Sequence, residues 1–261
     1  MAGVVVRDLD GLAEWTAASA LYRLVFGYTE PEWGLSPRLL AALGENSGTV
    51  IGAFNPDGVL TGFCYGFCAV ENGAIYHYSQ AAVVAPGMQG AGVGRLLKQA
   101  QAAAARRTGA GAMRWTFDPY EVRNAHFNFA VLGATGIRFL PDFYGAIGTD
   151  RVLVSWDLTA NPERADRHTP PDRHTPPDRH TPSDRHTPSD RYRPPDRHTA
   201  ADRHTAVSAP AGDRIAAPEL ADRARLRQQL REHFAAGGRL TAVTRAPEGD
   251  RVVYTFENGE P

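Results

Sequence analysis

One stretch restricts this chain more than any other: Val83-Val84-Ala85-Pro86-Gly87-Met88-Gln89-Gly90-Ala91-Gly92-Val93-Gly94-Arg95-Leu96-Leu97. The run from Ile75 to Val84 reads as a strand, and its end is marked by glycines. Gly92 to Arg107 reads as a helix and Ala112 to Phe117 as a second strand. Strand, helix and strand in this order predict a right-handed crossover between two parallel strands.

The turn itself is built for close approach. Glycines let a backbone come near a ligand and turn its N–H groups inward. The helix start adds unpaired N–H donors and partial positive charge. Phosphate or pyrophosphate suits such a place. Three phosphate patterns compete. A P-loop needs Gly-Lys-Ser/Thr, but Gly94 is followed by Arg95 and Leu96. A dinucleotide fingerprint starting at Gly90 and Gly92 needs a third glycine where Arg95 stands, although Asp118 ends a strand further on as that fingerprint requires. The third pattern, Gln/Arg-x-x-Gly-x-Gly, is met by Gln89, Gly92 and Gly94. A bare structural turn is the remaining reading.

Around this unit the spacing predicts a strand at Val4–Arg7 and a helix at Leu12–Val25. A shorter helix over Pro37–Leu43 is capped by Ser36, and strands at Thr49–Phe54 and Leu60–Ala69 follow. Downstream come a helix at Asn124–Leu132 and a strand at Arg151–Leu158. Residues 166 to 207 then form seven hexamers beginning Asp166-Arg-His-Thr-Pro-Pro. Proline recurs there and aliphatic residues are almost absent, so no core can form. The tract reads as a disordered or polyproline-like linker with ends roughly 35 Å apart. Its histidines (His168, His174, His180, His186, His198 and His204) would stand about 19 Å apart on a polyproline helix, too far to share a metal. After it, a helix from Pro218 to Ala235 and a hairpin, Arg239–Thr244 with Arg251–Phe256, are too small to stand alone and are expected to pack back on the first region. The expected division is 1–160, a linker at 161–212, and 213–261.

Other features exclude function classes. Net charge is −1, and no basic stripe accompanies the aromatic residues, so a nucleic-acid partner is not expected. Lys98 is the only lysine among many arginines, a bias read as compositional. Cys64 and Cys68 lie on one strand face about 13 Å apart and read as buried thiols. No signal peptide or membrane span is visible, and the default location is cytoplasmic. No metal set is expected.

The order strand, two helices, hairpin, long strand, glycine turn, helix, strand, helix resembles that of GNAT acyltransferases over residues 1 to about 158. Trp115-Thr116-Phe117-Asp118-Pro119, Asn124-Ala125-His126-Phe127-Asn128, Leu132-Gly133-Ala134 and Phe143-Tyr144-Gly145 are similar to one branch of that superfamily, which also carries a C-terminal helix and hairpin. The repeats are not part of that pattern. The resemblance implies an α/β (α+β) fold: a mixed central sheet with flanking helices, a disordered repeat insertion and a C-terminal helix plus β-hairpin. It implies acyl transfer from acetyl-CoA or another acyl-CoA to a small-molecule or protein amine by direct attack. The pyrophosphate would sit on Gln89, Gly90, Ala91, Gly92, Val93, Gly94 and Arg95. The pantetheine arm would lie along the backbone of Ala82, Val83 and Val84, with Asn124 at the CoA arm or as a helix cap. An amine acceptor needs a base, since a lysine-like amine is protonated near pH 7; Glu71, His77 and Asp118 are candidates. Phe129 occupies the place where the resemblance implies an acidic tyrosine. Tyr144, Ser79 or Tyr120 would then protonate the leaving thiolate, or no acid is used. The missing tyrosine also leaves open an acyl-CoA-binding module without turnover. The segments 15–43 and 140–148, apolar and aromatic, would line the acceptor side.

Overall fold

The computed structural model describes residues 3–159, 204–210, 220–246 and 251–258. The strands are β1 Val5–Asp8, β2 Thr49–Phe54, β3 Leu60–Glu71, β4 Ala74–Val84, β5 Ala112–Phe117, β6 Thr135–Leu140, β7 Arg151–Asp157, β8 His204–Pro210, β9 Arg239–Arg245 and β10 Arg251–Glu257. The helices are α1 Gly11–Phe26, α2 Pro37–Glu45, α3 Val93–Arg107, α4 Val122–His126 and α5 Leu220–Ala235. Among the described residues the strands form one mixed sheet in the order β1-β2-β3-β4-β5-β7-β6-β9-β10-β8. Only β4 and β5 run parallel; α3 is the crossover between them, as the sequence predicts.

Alternation along β2 sorts the two layers of the first half. Val50 and Phe54 join Ala18 and Leu21 of α1 and Leu40 of α2. Ile51 and Ala53 point the other way, toward Val93 and Leu97 of α3. Leu40 and Leu97 are fully buried, and each such side chain stabilises the fold by about 2 kcal/mol. Ser36 does precede α2, but its side chain makes no capping bond; its carbonyl accepts from Leu39 and Leu40 instead.

Three local expectations need correction. The helix expected at 124–132 starts at Val122 and widens after His126 into a π-helical turn over Phe127–Val131. The sequence suggests no strand at β6, because a bulge between Gly136 and Arg138 breaks its period of two. Residues 204–210, read as the end of the linker, form β8, an edge strand paired along β10. Its pairing is non-local and leaves little local pattern. The rest of the repeat tract, with its linker and histidine readings, lies outside the described residues. No described helix is long and apolar enough to cross a membrane.

The C-terminal elements extend the same sheet, Leu240 of β9 pairing with Gly136 of β6. Leu226, Leu230, Leu240, Val252 and Phe256 are buried in one cluster with Met113, Trp115 and Phe117 of β5. The Tyr254 hydroxyl, buried within this core, donates to the Pro119 carbonyl at 2.8 Å. Tyr254→Phe should therefore lower the unfolding free energy by about 1–3 kcal/mol, because that carbonyl loses its partner away from water. A urea midpoint unchanged by the substitution would show that the contact contributes nothing.

Candidate active site

Pairing between β4 and β5 stops early. Tyr76, His77 and Tyr78 pair with Ala112, Met113 and Arg114, and beyond that the parallel strands separate. β4 continues to Val84 paired only with β3. Its other edge, from Ser79 to Val84, therefore faces a gap whose far side is β5. From Val84 back to Ser79 is roughly 17 Å of strand.

A bulge shapes this edge. Tyr65 and Gly66 on β3 pair with Ala81 and Ser79, so Gln80 is the extra residue. The extra residue reverses side-chain parity along β4. His77 and Ser79 point to the α3 layer, whereas beyond the bulge Ala81 and Val83 pack toward α1 and α2. Gly66 permits the crowding, since a Cβ there would lie 2.3 Å from the Tyr78 carbonyl oxygen.

At the open end of the gap lies the glycine turn. Gly90 and Gly92 have φ of 80° and 76°, and Gly92 is the N-cap of α3. The N–H groups of Gly90, Gly92, Val93 and Gly94 have no backbone acceptor among the described residues, as expected for the start of a helix. Gln89 is held differently from the expectation: its side-chain amide donates to the Val84 carbonyl at 3.3 Å, bracing the turn. Arg95 is exposed on the first turn of α3, and Ala82 and Ala91 are exposed as well.

At the closed end sits a buried polar chain. Lys98 Nζ donates to Ser79 Oγ at 2.8 Å, and Ser79 donates to Gln101 Oε1 at 2.6 Å. Gln101 Nε2 donates to Thr49 Oγ1 at 2.9 Å, and Thr49 lies 3.0 Å from His77 Nε2. Lys98 Nζ also stands 3.8 Å from the centre of the Trp115 ring, so it bridges β4 and β5 where their pairing ends. Desolvation by burial pushes Lys98 down to about 7. Trp115 Nε1 donates to Asn128 Oδ1 at 3.0 Å, while the buried Asn128 Nδ2 has no partner. A buried donor without a partner calls for an acceptor.

The proposed bases fare unequally. His77 is fully buried, and burial followed by nearby Lys98 pushes it down to about 4, making it a neutral core residue. Glu71 is held by Arg114 and by Arg138 (3.1 Å), with its carboxyl lowered by Arg114 foremost. Asp118 accepts from the Tyr120 N–H at 2.9 Å and lies 3.8 Å from Arg151, closing a turn. Asn124 is exposed on α4, whose N-cap is Glu121, so it is not a cap.

The candidate acids separate clearly. Ser79 is enclosed in the polar chain. The Tyr120 hydroxyl donates to Asp150 at 2.7 Å, and burial raises it far above the ordinary phenol range. Phe129 is buried edge-on to Phe117. Tyr144 is 54% exposed on the loop between β6 and β7, with Arg151 4.9 Å above its ring. Tyr144 also acts on Tyr22, Tyr65 and Tyr78. Burial first, and neighbouring phenols including Tyr144, push Tyr22 up to about 12 and raise the other two. Tyr22 further packs with Phe26 and Tyr28, and Tyr28 with Trp33. Segments 15–43 and 140–148 thus bring Tyr22 and Tyr144 together with Tyr65 and Tyr78 in a phenol-rich wall.

α5 fixes the loop that carries Tyr144. Arg223 donates to the Gly148 carbonyl at 2.8 Å, and Arg227 reaches Asp142 at 2.6 Å and Asp150 at 3.1 Å. Lys98, Gln101, Asn128 and these arginines are not among the candidate residues that the sequence points to. Lys98 and Gln101 carried a readable signal: both fall in the buried stripe of α3 with Val93, Leu97, Ala102 and Ala105.

No protein-family model matches the sequence, and no curated protein does. Solved structures do match. A Salmonella typhimurium protein assigned as an acetyltransferase, solved with its cofactor acetyl-CoA, is 20% identical. The match covers 66% of this chain and 99% of that one, with a TM-score of 0.50. Chaetomium thermophilum Naa20 in complex with a bisubstrate analogue is 17% identical over 63% of this chain and 90% of that one, again at 0.50. The chain has the GNAT fold. In the GNAT fold of this protein, the gap between the parallel strands has the glycine turn at one end and Lys98 at the other.

Proposed function

We propose that this protein is an acyl-CoA-dependent N-acyltransferase that moves an acetyl or other acyl group to an amine by direct attack. The observation that carries the reading is the early end of β4–β5 pairing, which leaves an unpaired strand edge leading from the glycine turn to the polar chain. The N–H groups of Gly90, Gly92, Val93 and Gly94 would hold the pyrophosphate. The free edge of Ala82 to Val84 would hydrogen-bond the pantetheine arm, and the open amide of Asn128 would serve it from the β5 side. Backbone N–H groups on that edge would polarise the thioester carbonyl. No metal takes part in this reading. Carried over, the match to a protein solved with acetyl-CoA favours that donor.

The acceptor would approach from the phenol-rich wall of Tyr22, Tyr65, Tyr78 and Tyr144. Aromatic rings with hydroxyl tips favour an amine with an apolar or aromatic body. Attack requires the neutral amine. Of the acid candidates, Tyr144 is open to solvent and placed on that side.

Purified protein incubated with acetyl-CoA and a panel of primary amines, from phenylalkyl amines to polyamines, tests this by release of free CoA thiol. Faster release with the aromatic amines is expected. Acetyl-CoA binding with no release by any amine would favour the module without turnover, which the phenylalanine at 129 motivates. Absence of acetyl-CoA binding at millimolar concentration would end both readings.

A further inference from the structure

Lys98 has no role in the reading above, and its position is unusual for the chain's single lysine. It is 3% exposed on the buried stripe of α3. Its ammonium group spans from Ser79 on β4 to the Trp115 ring on β5. These residues directly follow the last paired residues, Tyr78 and Arg114. An acyl-CoA held by the turn and laid along β4 would bring its sulfur to this end of the gap. Phe129, by contrast, offers no proton.

We propose that Lys98 is the proton donor to the departing CoA thiolate, which rests on the acyltransferase reading. As the acceptor nitrogen bonds to the acyl carbon, the carbon–sulfur bond breaks and its electron pair goes to sulfur. Sulfur takes a proton from the Lys98 ammonium and leaves as the thiol. The amide nitrogen loses its extra proton to water, and Lys98 regains one from water after the thiol departs. Ser79 orients the ammonium by accepting one of its hydrogens, and Gln101 fixes Ser79.

The acidity is suited to the task. A lysine near 10.4 is a weaker acid than a thiol near 8.5 and would hold its proton. Buried Lys98, at about 7, gives it up to such a thiolate readily. The titratable groups facing it are Cys64 of β3, which raises it, and His77 of β4, which is neutral. Trp115 of β5 supplies ring density and Asn128 beyond it an amide.

Because no other lysine exists in the chain, protein labelled with [ζ-15N]lysine gives one side-chain amine signal. Its titration is followed alone, with CoA, and with desulfo-CoA, which lacks the sulfur. With CoA the Lys98 amine should titrate together with the thiol as a coupled pair, and its curve should differ by about one pH unit or more from that with desulfo-CoA, where it titrates alone. Equal titrations with both ligands bound would overturn the proposal, since Lys98 would not sense the sulfur. Saturable CoA binding seen by calorimetry, with Lys98 undisturbed, would reject the proton donor and keep the acyl-CoA site. No binding of either ligand would reject both.

Discussion

Gly94→Glu should abolish stabilisation by acetyl-CoA while leaving the ligand-free protein as stable as before, or slightly more so. Saturating acetyl-CoA, at about a hundred times its dissociation constant, should add about 2.7 kcal/mol to the wild-type protein. For a domain of this size that is about 5–10 °C in Tm. Gly94 suits the test better than its neighbour Gly92. Gly92 has a φ of 76°, so any side chain there strains the backbone and mixes folding with binding. Gly94 is not among the positive-φ glycines, and an added Cβ would meet Phe127 and Val84 at 3.6–3.8 Å, ordinary contact. A carboxylate in the first turn also favours the helix by about 0.3–1 kcal/mol. That same charge would occupy the place of the pyrophosphate. A full ligand shift retained in the variant would remove the pyrophosphate from the start of α3.

The second large effect concerns stability and pH. Lys98→Met should stabilise the fold at pH 7 by on the order of 2–3 kcal/mol, after subtracting the lost ring and hydroxyl contacts. The unfolded lysine keeps its proton up to about 10.5, the folded one only to about 7. Between these values the unfolded chain binds more protons, so raising the pH stabilises the folded state. Below pH 7 the burial penalty is present in full. Cys64 acts oppositely: burial pushes its thiol from 9.0 up to about 12, so above about pH 9 it favours unfolding. Lys98 is therefore best read between pH 7 and 9. Urea unfolding of the wild type should show a free energy rising by on the order of 1.4 kcal/mol per pH unit there. The variant should lack that slope. Identical slopes would mean that Lys98 keeps its charge in the folded protein at these pH values.

The sequence was most informative where chemistry and local pattern coincide. The crossover of β4, α3 and β5 could be read because strand and helix periods and glycine placement agree over residues 75–117. Strand separation after Tyr78 is not a local property, and neither is the bulge at Gln80, which depends on the β3 partner. Hence Ser79 could be named as a candidate from its place on the strand, but its burial against Lys98 and Gln101 could not be seen. His77 looked available as a base because a histidine at the centre of a strand says nothing about which layer covers it. β8 was missed for a related reason: an edge strand takes its order from β10 across more than forty residues of sequence.

The clamp of Arg223 and Arg227 on the loop that carries Tyr144 divides the molecule's labour between distant stretches of sequence. Features of the proposed donor side lie in residues 74–128, while the loop of the proposed acceptor side leans on a helix from beyond the repeats. Substitutions on that helix can reposition the loop without altering the glycine turn. Under the proposed function, an engineer wishing to change acceptor preference while keeping the donor would begin at α5.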